Sequence, residues 1–204
     1  MNRKTVAVVD YGVGNHTSVL STLQEMGHRC RVTNDREILD AADLLVLPGV
    51  GAFPAAMAAL HLHGLAVYIT ELVTQGKPLI GLCLGMQLLA DESLEHGKTA
   101  GLGLIPGKVC QLPSLNSHIG WNSLQIVQHD PLFSRSDSED FYFNHSYFFE
   151  VQTAYQVAVS TVQSKCFTVA VRRDNVVGLQ FHPEKSQSAG KKLLSRLVEG
   201  LSHA

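Results

Sequence analysis

A cysteine between two glycines is the residue of this chain best suited to chemistry. Cys83 is the centre of Gly81-Leu82-Cys83-Leu84-Gly85, which follows an apolar run at 78–80 and precedes a helical pattern at 86–89. Such a strand-to-helix turn is a nucleophile elbow, which presents its central side chain at the carboxyl end of a strand. The amide groups and positive dipole end of the following helix favour the nucleophilic thiolate. A buried structural cysteine in a glycine-rich turn is the alternative interpretation of this pentapeptide alone.

A base for this thiol is offered by His182-Pro183-Glu184, which follows a strand-like run at 176–181. Pro183 favours extended geometry at His182, and residues two apart in an extended segment point to the same side. A carboxylate on one imidazole nitrogen fixes the tautomer and leaves the other nitrogen to take the thiol proton. The sequence therefore predicts a triad of Cys83, His182 and Glu184.

Composition limits the class of protein. The chain has 204 residues, is 45% hydrophobic and carries a formal charge of -2. These values predict one domain over residues 1–204 with an ample core, and give no reason to expect nucleic acid as a partner. The apolar run at 6–9 ends at Asp10, and no apolar stretch approaches a membrane span. We therefore expect no membrane association and a cytoplasmic location.

The remaining cysteines and a close histidine pair give no sign of a metal. Cys30, Cys110 and Cys166 lie too far apart for a ligand motif, and we interpret them as small core residues. His61 and His63 have no further ligand types nearby and are interpreted as a solvated helix end. The sequence therefore predicts neither a metal site nor another cofactor.

The order of elements predicts an α/β fold. Strands are expected at 5–9, 28–33 and 43–47, alternating with helices at 15–26 and 65–74. Such alternation is typical of a parallel sheet with helices on both faces. Short strands are expected after residue 107, at 108–112, 121–127, 141–149, 155–161, 167–172 and 176–181. We therefore predict a mostly parallel central sheet, an additional mixed or antiparallel C-terminal sheet, a polar surface loop at 134–140 and a closing helix at 188–201.

Two glycine-containing loops follow strands of the predicted sheet, where ligands of open α/β sheets bind. Gly12-x-Gly14 follows the first strand, but Thr17 occupies the third glycine position of a dinucleotide fingerprint, so this match is weak. The second loop, Pro48-Gly49-Val50-Gly51-Ala52-Phe53, has small residues that let backbone amides approach a reacting carbonyl.

The second loop is a candidate oxyanion loop. The amides of Val50 and Gly51, with that of Leu84 after the nucleophile, are the expected donors to a tetrahedral intermediate. One such donor contributes about 3 kcal/mol of barrier lowering. A tight structural turn is the alternative interpretation.

Five segments together resemble the class I glutamine amidotransferases. They are Gly-Leu-Cys-Leu-Gly-Met-Gln at 81–87, Pro-Gly-Val-Gly-Ala-Phe at 48–53, His-Ile-Gly-Trp-Asn at 118–122, His-Ser-Tyr at 145–147 and Gln-Phe-His-Pro-Glu-Lys-Ser at 180–186. More narrowly, the Pro-Gly-Val-Gly and His-x-Gly-Trp-Asn segments, with Asp-Tyr-Gly-x-Gly-Asn at 10–15, resemble the glutaminase subunits of imidazole glycerol phosphate synthases. The resemblance runs from Val6 to the C-terminal helix.

The resemblance implies a reaction and a substrate site. Cys83 would attack the side-chain amide of glutamine, giving a γ-glutamyl thioester and ammonia, with His182 as acid and base and Glu184 holding its ring. Residues implied in glutamine binding are Gly49, Gln87, His145, Ser146 and Tyr147.

The resemblance also implies a partner. Ammonia would pass to a TIM-type barrel cyclase subunit, which forms a heterodimer with the glutaminase and makes imidazole glycerol phosphate and aminoimidazole carboxamide ribonucleotide. Asn15, Trp121, Tyr142 and Lys185 match positions at or near that interface. A core aromatic is the alternative for Trp121 and Tyr142, and a solvated charge for Lys185.

Three positions depart from the family's usual pattern. Ser117 stands where a proline commonly precedes His118, Asn144 replaces an apolar residue, and His16 replaces a leucine. They lie near the glutamine pocket and the docking rim, not in the triad. Alternative functions are an ammonia supplier for another enzyme, such as one that amidates surface sugars, a free-standing γ-glutamyl cysteine hydrolase, and an interaction subunit with a vestigial site.

Overall fold

The structure, a computed structural model, describes residues 3–113, 117–134 and 140–201, so most of the predicted loop 134–140 lies outside the described residues. The strands are β1 (Thr5–Val9), β2 (Arg29–Thr33), β3 (Leu44–Leu47), β4 (Leu79–Leu82), β5 (Glu92–Ser93), β6 (Thr99–Ala100), β7 (Gly107–Gln111), β8 (His118–Ser123), β9 (Gln125–Ile126), β10 (Asp140–His145), β11 (Tyr147–Val151), β12 (Gln156–Val162), β13 (Lys165–Arg173) and β14 (Val176–Leu179). The helices are α1 (His16–Glu25), α2 (Arg36–Ala41), α3 (Phe53–Leu62), α4 (Leu65–Thr74), α5 (Leu84–Gln87) and α6 (Gln187–Leu201).

The central sheet has the strand order β2-β1-β3-β4-β14-β13-β12-β9. Its pairs from β2 to β14 are parallel, and β13, β12 and β9 continue it in antiparallel fashion. Two smaller sheets complete the fold, the antiparallel pair β10-β8 and the mixed sheet β11-β7-β5-β6. The predicted α/β fold, with a mostly parallel central sheet and additional mixed or antiparallel strands, is confirmed.

Alternate residues of the central strands supply two hydrophobic clusters, one on each face. Val6 and Val8 pack in the cluster that contains residues of α1 and α6, whereas Ala7 and Val9 pack with residues of α3 and α4. Side chains of a strand point alternately to opposite faces. A strand whose residues are nearly all apolar therefore needs helices or other elements to cover both faces of its sheet. This double covering leaves the ends of the strands as the place for a site.

Two strand predictions were wrong in their extent. The run 141–149 is divided at Ser146 into β10 and β11, which belong to different sheets, and the run 121–127 is divided at Leu124 between β8 and β9. A change of partner strand leaves the alternation of residues almost undisturbed, so the sequence pattern did not reveal it.

Helices α2 and α3 were not predicted. α3 begins at Phe53, immediately after the candidate oxyanion loop, with Pro54 in its first turn, where a proline costs no hydrogen bond. Among the described residues no single helix is long and apolar enough to cross a membrane, although α3 and α4 together, bent by 86°, have the length and composition.

Candidate active site

Cys83 lies at a sharp turn between β4 and α5. Its φ of 54° and ψ of -109° are unusual for a residue with a side chain and cost about 1–3 kcal/mol. Gly85 permits the turn, because a Cβ there would lie 1.8 Å from the carbonyl oxygen of Leu47 on β3. The Cys83 amide donates to Leu179 O at 2.7 Å, which ties the turn to the end of β14. The geometry is that of a nucleophile elbow.

His182 and Glu184 lie beside this turn, but not in the extended geometry predicted. β14 ends at Leu179, and Pro183–Lys185 form a 3-10 turn. This turn, rather than an extended strand, brings His182 Nδ1 within 2.8 Å of Glu184 Oε1, with side chains that are 5% and 2% exposed. The spacing of His182 and Glu184 therefore predicted the contact, although the local conformation was wrong.

The electrostatics of this pair favour a protonated imidazole. Burial disfavours the charged form of His182, but hydrogen bonds and charge from Cys83 and Glu184 outweigh it and raise the pKa of His182 to about 9. With Nδ1 held by Glu184, Nε2 is the nitrogen left for proton exchange at the sulfur.

Ser186, which the sequence did not single out, holds the backbone of His182 in place. Its Oγ donates to His182 O at 2.6 Å and accepts from the Tyr142 amide at 3.0 Å. The His182 amide donates in turn to Tyr142 O at 2.8 Å. These bonds attach the turn of the proposed base to β10.

A cavity of about 290 Å³ opens beside Cys83 and His182. Its volume is close to the lower end of ligand pockets, about 300 Å³, which suits a small substrate. Most of the predicted site residues line it: Val50, Gly51, Cys83, Leu84, Gln87, His145, Ser146, Tyr147, His182 and Lys185. Asn144, noted as a departure from the family pattern, also lines the cavity.

Other predicted residues lie outside the lining of this cavity. Gly49 is buried and, with Asn15 and Glu184, borders a separate void of about 10 Å³ behind the candidate oxyanion loop. Glu184 touches His182 from this side. Gly49 therefore lies at this small void behind the candidate oxyanion loop and does not line the larger cavity.

The candidate oxyanion loop is anchored at one end. Tyr11 Oη donates to Pro48 O at 2.7 Å, and burial, followed by the charge of Cys83, raises the pKa of Tyr11. Gly51 has a φ of 95°, which is open to glycine and strained for other residues. Tyr11 belongs to the Asp-Tyr-Gly segment of the resemblance, but its spacing gave no sign of this anchoring role.

Glu95 is a cavity residue that sequence reasoning missed. It is buried, its Oε2 accepts from the Phe53 amide at the start of α3 at 2.8 Å, and Oε1 lies 4.0 Å from the exposed His96 ring. A carboxylate fixed beside a small cavity favours a cationic group in a ligand. It belongs to none of the motifs, so nothing in the sequence pattern could have found it.

Hydrogen bonds connect the sulfur to the segment 144–147. Cys83 Sγ lies 3.8 Å from Asn144 O and 3.9 Å from Gln180 Nε2. Gln87 Nε2 donates to Tyr147 O and to Gln180 Oε1, both at 3.0 Å. In this arrangement the Gln87 amide nitrogen supports the cavity wall.

Two of the residues predicted at an interface, Trp121 and Tyr142, form a partly exposed aromatic pair, and Lys185 lies beside it. Trp121 is 51% exposed, so it is not a core aromatic, and its ring lies 5.9 Å from that of Tyr142. Lys185 Nζ lies 5.8 Å from the Tyr142 ring, which is 6.4 Å from the His182 ring. Asn15 caps α1 and accepts from the Ser18 amide. The ring of Tyr142 thus lies between the exposed Trp121 and the proposed base, His182.

The core interpretation of the other cysteines holds in part for Cys30, which is partly buried and packs against the core. Cys110 is only partly buried and Cys166 is exposed, so Cys166 is not a core residue. His61 and His63 end α3, as the helix-end interpretation expected. Within residues 3–113, 117–134 and 140–201, no three His, Cys, Asp or Glu side chains come together as a metal site.

The family is shown by comparison with known proteins. The family model described as glutamine amidotransferase class-I matches residues 7–199. This chain therefore belongs to the class I glutamine amidotransferases.

Within that family, curated relatives share much of its sequence. One is the imidazole glycerol phosphate synthase subunit HisH of Streptococcus mutans, which is 43% identical over 199 residues, 95% of this chain and 98% of the relative. Another is the HisH subunit of Methanothermobacter thermautotrophicus, 44% identical over 196 residues with the same coverage.

Solved structures support the fold independently. The structure of PurLQS from Thermotoga maritima matches with a TM-score of 0.78 and 20% identity, covering 98% of this chain and 99% of that one. The crystal structure of a glutamine amidotransferase from Thermotoga maritima matches with a TM-score of 0.70 and 17% identity, covering 100% of both chains.

Proposed function

We propose that this chain is the glutaminase subunit of an imidazole glycerol phosphate synthase, which releases ammonia from glutamine for a cyclase subunit in histidine biosynthesis. The observation that carries the proposal is Cys83 at a strained elbow, beside an imidazole held at 2.8 Å by Glu184, in a chain more than 40% identical to HisH subunits. A cytoplasmic location is part of the proposal.

The chemistry follows from this geometry. The sulfur attacks the amide carbon of glutamine while His182 Nε2 holds the proton from the Cys83 thiol, as the raised pKa of His182 favours. His182 returns that proton to the amine, which leaves as ammonia when the C–N bond breaks. His182 then takes a proton from water, which attacks the thioester carbon, and glutamate leaves as the sulfur is reprotonated. Glu184 keeps the tautomer correct throughout.

Substrate binding uses the small cavity. The Glu95 carboxylate is placed to pair with the α-ammonium group of glutamine, and segment 145–147 supplies the opposite contacts. The amides of Val50, Gly51 and Leu84 are the proposed donors to the tetrahedral oxyanion. Since Val50 is 42% exposed and Gly51 has glycine-only geometry, this loop is the part of the site that a partner can contact and reorient.

A barrel-type cyclase is the proposed partner, bound over Trp121, Tyr142, Lys185 and Asn15. Exposed aromatic residues are enriched at interfaces, and this patch lies beside the loops that carry out the chemistry. Docking and catalysis would therefore share residues, so that glutamine is hydrolysed only when an acceptor is bound.

Replacement of Cys83 by alanine tests the glutaminase chemistry. Cys83→Ala should abolish glutamine-dependent turnover and leave ammonia-dependent synthesis by the complex intact. A glutamine-derived electrophile should label Cys83, whereas a general thiol reagent should also label the exposed Cys166. Loss of both activities, or glutamine-directed labelling at another cysteine, would contradict the proposal.

Partner dependence separates this function from a free-standing hydrolase. Glutamine hydrolysis should rise when the cyclase and its nucleotide are added, and Lys185→Glu should weaken the complex. Equal rates for the isolated chain and the loaded complex would favour the γ-glutamyl hydrolase.

A further inference from the structure

A row of side-chain hydrogen bonds lies behind segment 144–147 of the cavity wall. It begins at Asn122, whose Oδ1 accepts from the Ser123 amide at 2.9 Å and whose Nδ2 donates to Thr161 O at 3.0 Å. These two backbone partners fix which end of the amide is nitrogen. Asn122 Nδ2 also lies 3.2 Å from His118 Nε2.

The orientation of Asn122 determines both histidine tautomers. Because an amide nitrogen only donates, His118 Nε2 must accept, and neutral His118 carries its proton on Nδ1. That proton points to His145 Nε2 at 3.0 Å, so His145 also carries its proton on Nδ1. His145 Nδ1 then donates to Tyr147 O at 2.8 Å. All hydrogen bonds therefore run in one direction, from Asn122 to Tyr147.

The surroundings keep both rings neutral. His118 and His145 are buried, and the His118 ring stacks on Phe143 with centroids 4.4 Å apart. Burial lowers the pKa of each histidine. A second proton on either ring would sit on Nε2 and would face another donor. For His118 that donor is the Asn122 amide, and for His145 it is the Nδ1–H of His118.

The row ends at a carbonyl that is shared with the elbow. Tyr147 O accepts from both His145 Nδ1 and Gln87 Nε2, which occupies both lone pairs of a carbonyl oxygen. Gln87 bonds in turn to Gln180, whose Nε2 faces Cys83 Sγ. The position of the cavity wall relative to the sulfur is therefore fixed through these donors.

We infer that Asn122 and His118 are positioning residues, which act through the His145 ring to hold segment 144–147 at the correct distance from Cys83 for glutamine to bind. The inference rests on the proposed glutaminase function for its kinetic consequence. His118 and Asn122 act through His145, and His145 acts through Tyr147 O. Loss of the network should therefore affect substrate binding more than the chemical step.

Nuclear magnetic resonance tests the network without any assay of activity. Nitrogen-15 correlation spectra of the protein at neutral pH should show both His118 and His145 as Nδ1–H tautomers. An Nε2–H tautomer at either residue would overturn the inference. This measurement decides the point even if the protein does not turn over glutamine, in which case only the proposed function fails.

Kinetics of His118 variants test the consequence, in the assembly in which the wild-type protein is active. His118→Phe keeps the stacking on Phe143 but leaves His145 Nε2 unpaired, so KM for glutamine should rise about tenfold with kcat changed less than about threefold. His118→Gln, whose amide both accepts and donates, should restore KM to within about threefold of wild type.

Two controls accompany these variants. Thermal unfolding shows whether each variant is folded, and a substitution at a second buried histidine shows the effect of losing an imidazole elsewhere. His28→Phe removes another buried imidazole, which bonds to the Lys4 amide far along the sheet from the cavity, and should leave KM unchanged. An unaltered KM in His118→Phe, or an equal loss in the Phe and Gln variants, would overturn the positioning role.

Discussion

His182 and His145 border the same cavity, yet their surroundings favour opposite charge states. His182 faces a carboxylate at 2.8 Å and the Cys83 thiol, and its pKa is raised to about 9. His145 faces the neutral His118 ring and the Tyr147 carbonyl, and burial lowers its pKa to about 4. Both residues are nearly inaccessible, at 4% and 7% exposure. Burial opposes charge in both cases, so the partners decide the outcome.

The difference matches the two tasks. A base must hold a proton during the reaction, so a nearby anion is useful. A positioning ring must keep one tautomer, and a second charge beside His182 would disfavour the protonated base. The cavity thus combines a charged side around His182 with a neutral side around His145.

Removing the imidazole from the charged side should have the largest effect. His182→Asn eliminates the base, so kcat should fall by roughly 10²- to 10⁴-fold with glutamine binding little changed. Stopped assays of the assembled enzyme measure both constants. A loss confined to KM would show that His182 binds substrate instead of moving protons.

Titration should distinguish the two histidines through stability. A histidine with a raised pKa makes its full contribution to the free energy of unfolding below pH 6.5. The contribution of His182 is therefore lost as the pH rises from 6.5 to about 9. His145 has a lowered pKa, so stability falls as pH drops from 6.5 to about 4, by about 3 kcal/mol at 1.36 kcal/mol per unit. Denaturant unfolding across this range should therefore give a maximum near pH 6.5. In His145→Gln the acid loss should shrink, and an unchanged acid limb would contradict the assignment.

The charged side was largely predictable from the sequence, and the neutral side was not. Glu184 lies two residues from His182, and the elbow is contained in five residues, so local spacing was sufficient. His118 and His145 are 27 residues apart, and Gln87 and Tyr147 are 60 apart. Their contacts depend on β10 and β11 entering different sheets, which residue alternation does not encode. Glu95 was missed for the same reason, since only tertiary packing brings it to the site. Ser186 lies four residues from His182, and its role depends on the 3-10 turn that the sequence pattern did not predict.

Neutralising the carboxylate on the charged side should have a smaller effect than losing the base. In Glu184→Gln an amide oxygen still accepts from His182 Nδ1, but the charge-assisted part of the bond is lost, so kcat should fall about tenfold, or about 1.4 kcal/mol. The pKa of His182, followed by NMR, should fall below its wild-type value of about 9. A variant with full rate and unchanged titration would show that the charge of Glu184 is not used.

The smallest expected effect concerns the hairpin that supports the neutral side. Gln163 and Ser164 join β12 to β13 with φ values of 47° and 64°. A two-residue turn with both φ values positive favours Asn-Gly. Ser164→Gly relieves left-handed strain and should raise the free energy of unfolding by about 0.5 kcal/mol, after the greater entropy of the unfolded chain is subtracted.

Ser164 lies three residues beyond Thr161, whose carbonyl accepts from Asn122, so a firmer turn should slow amide exchange in β12 and β8. The pKa of His182 should not change. Val162→Gly is the matched control, because glycine in the last pair of β12 with β13 should destabilise the protein. If Ser164→Gly shifted the His182 titration, the two sides of the cavity would be coupled more closely than their separate hydrogen bonds indicate.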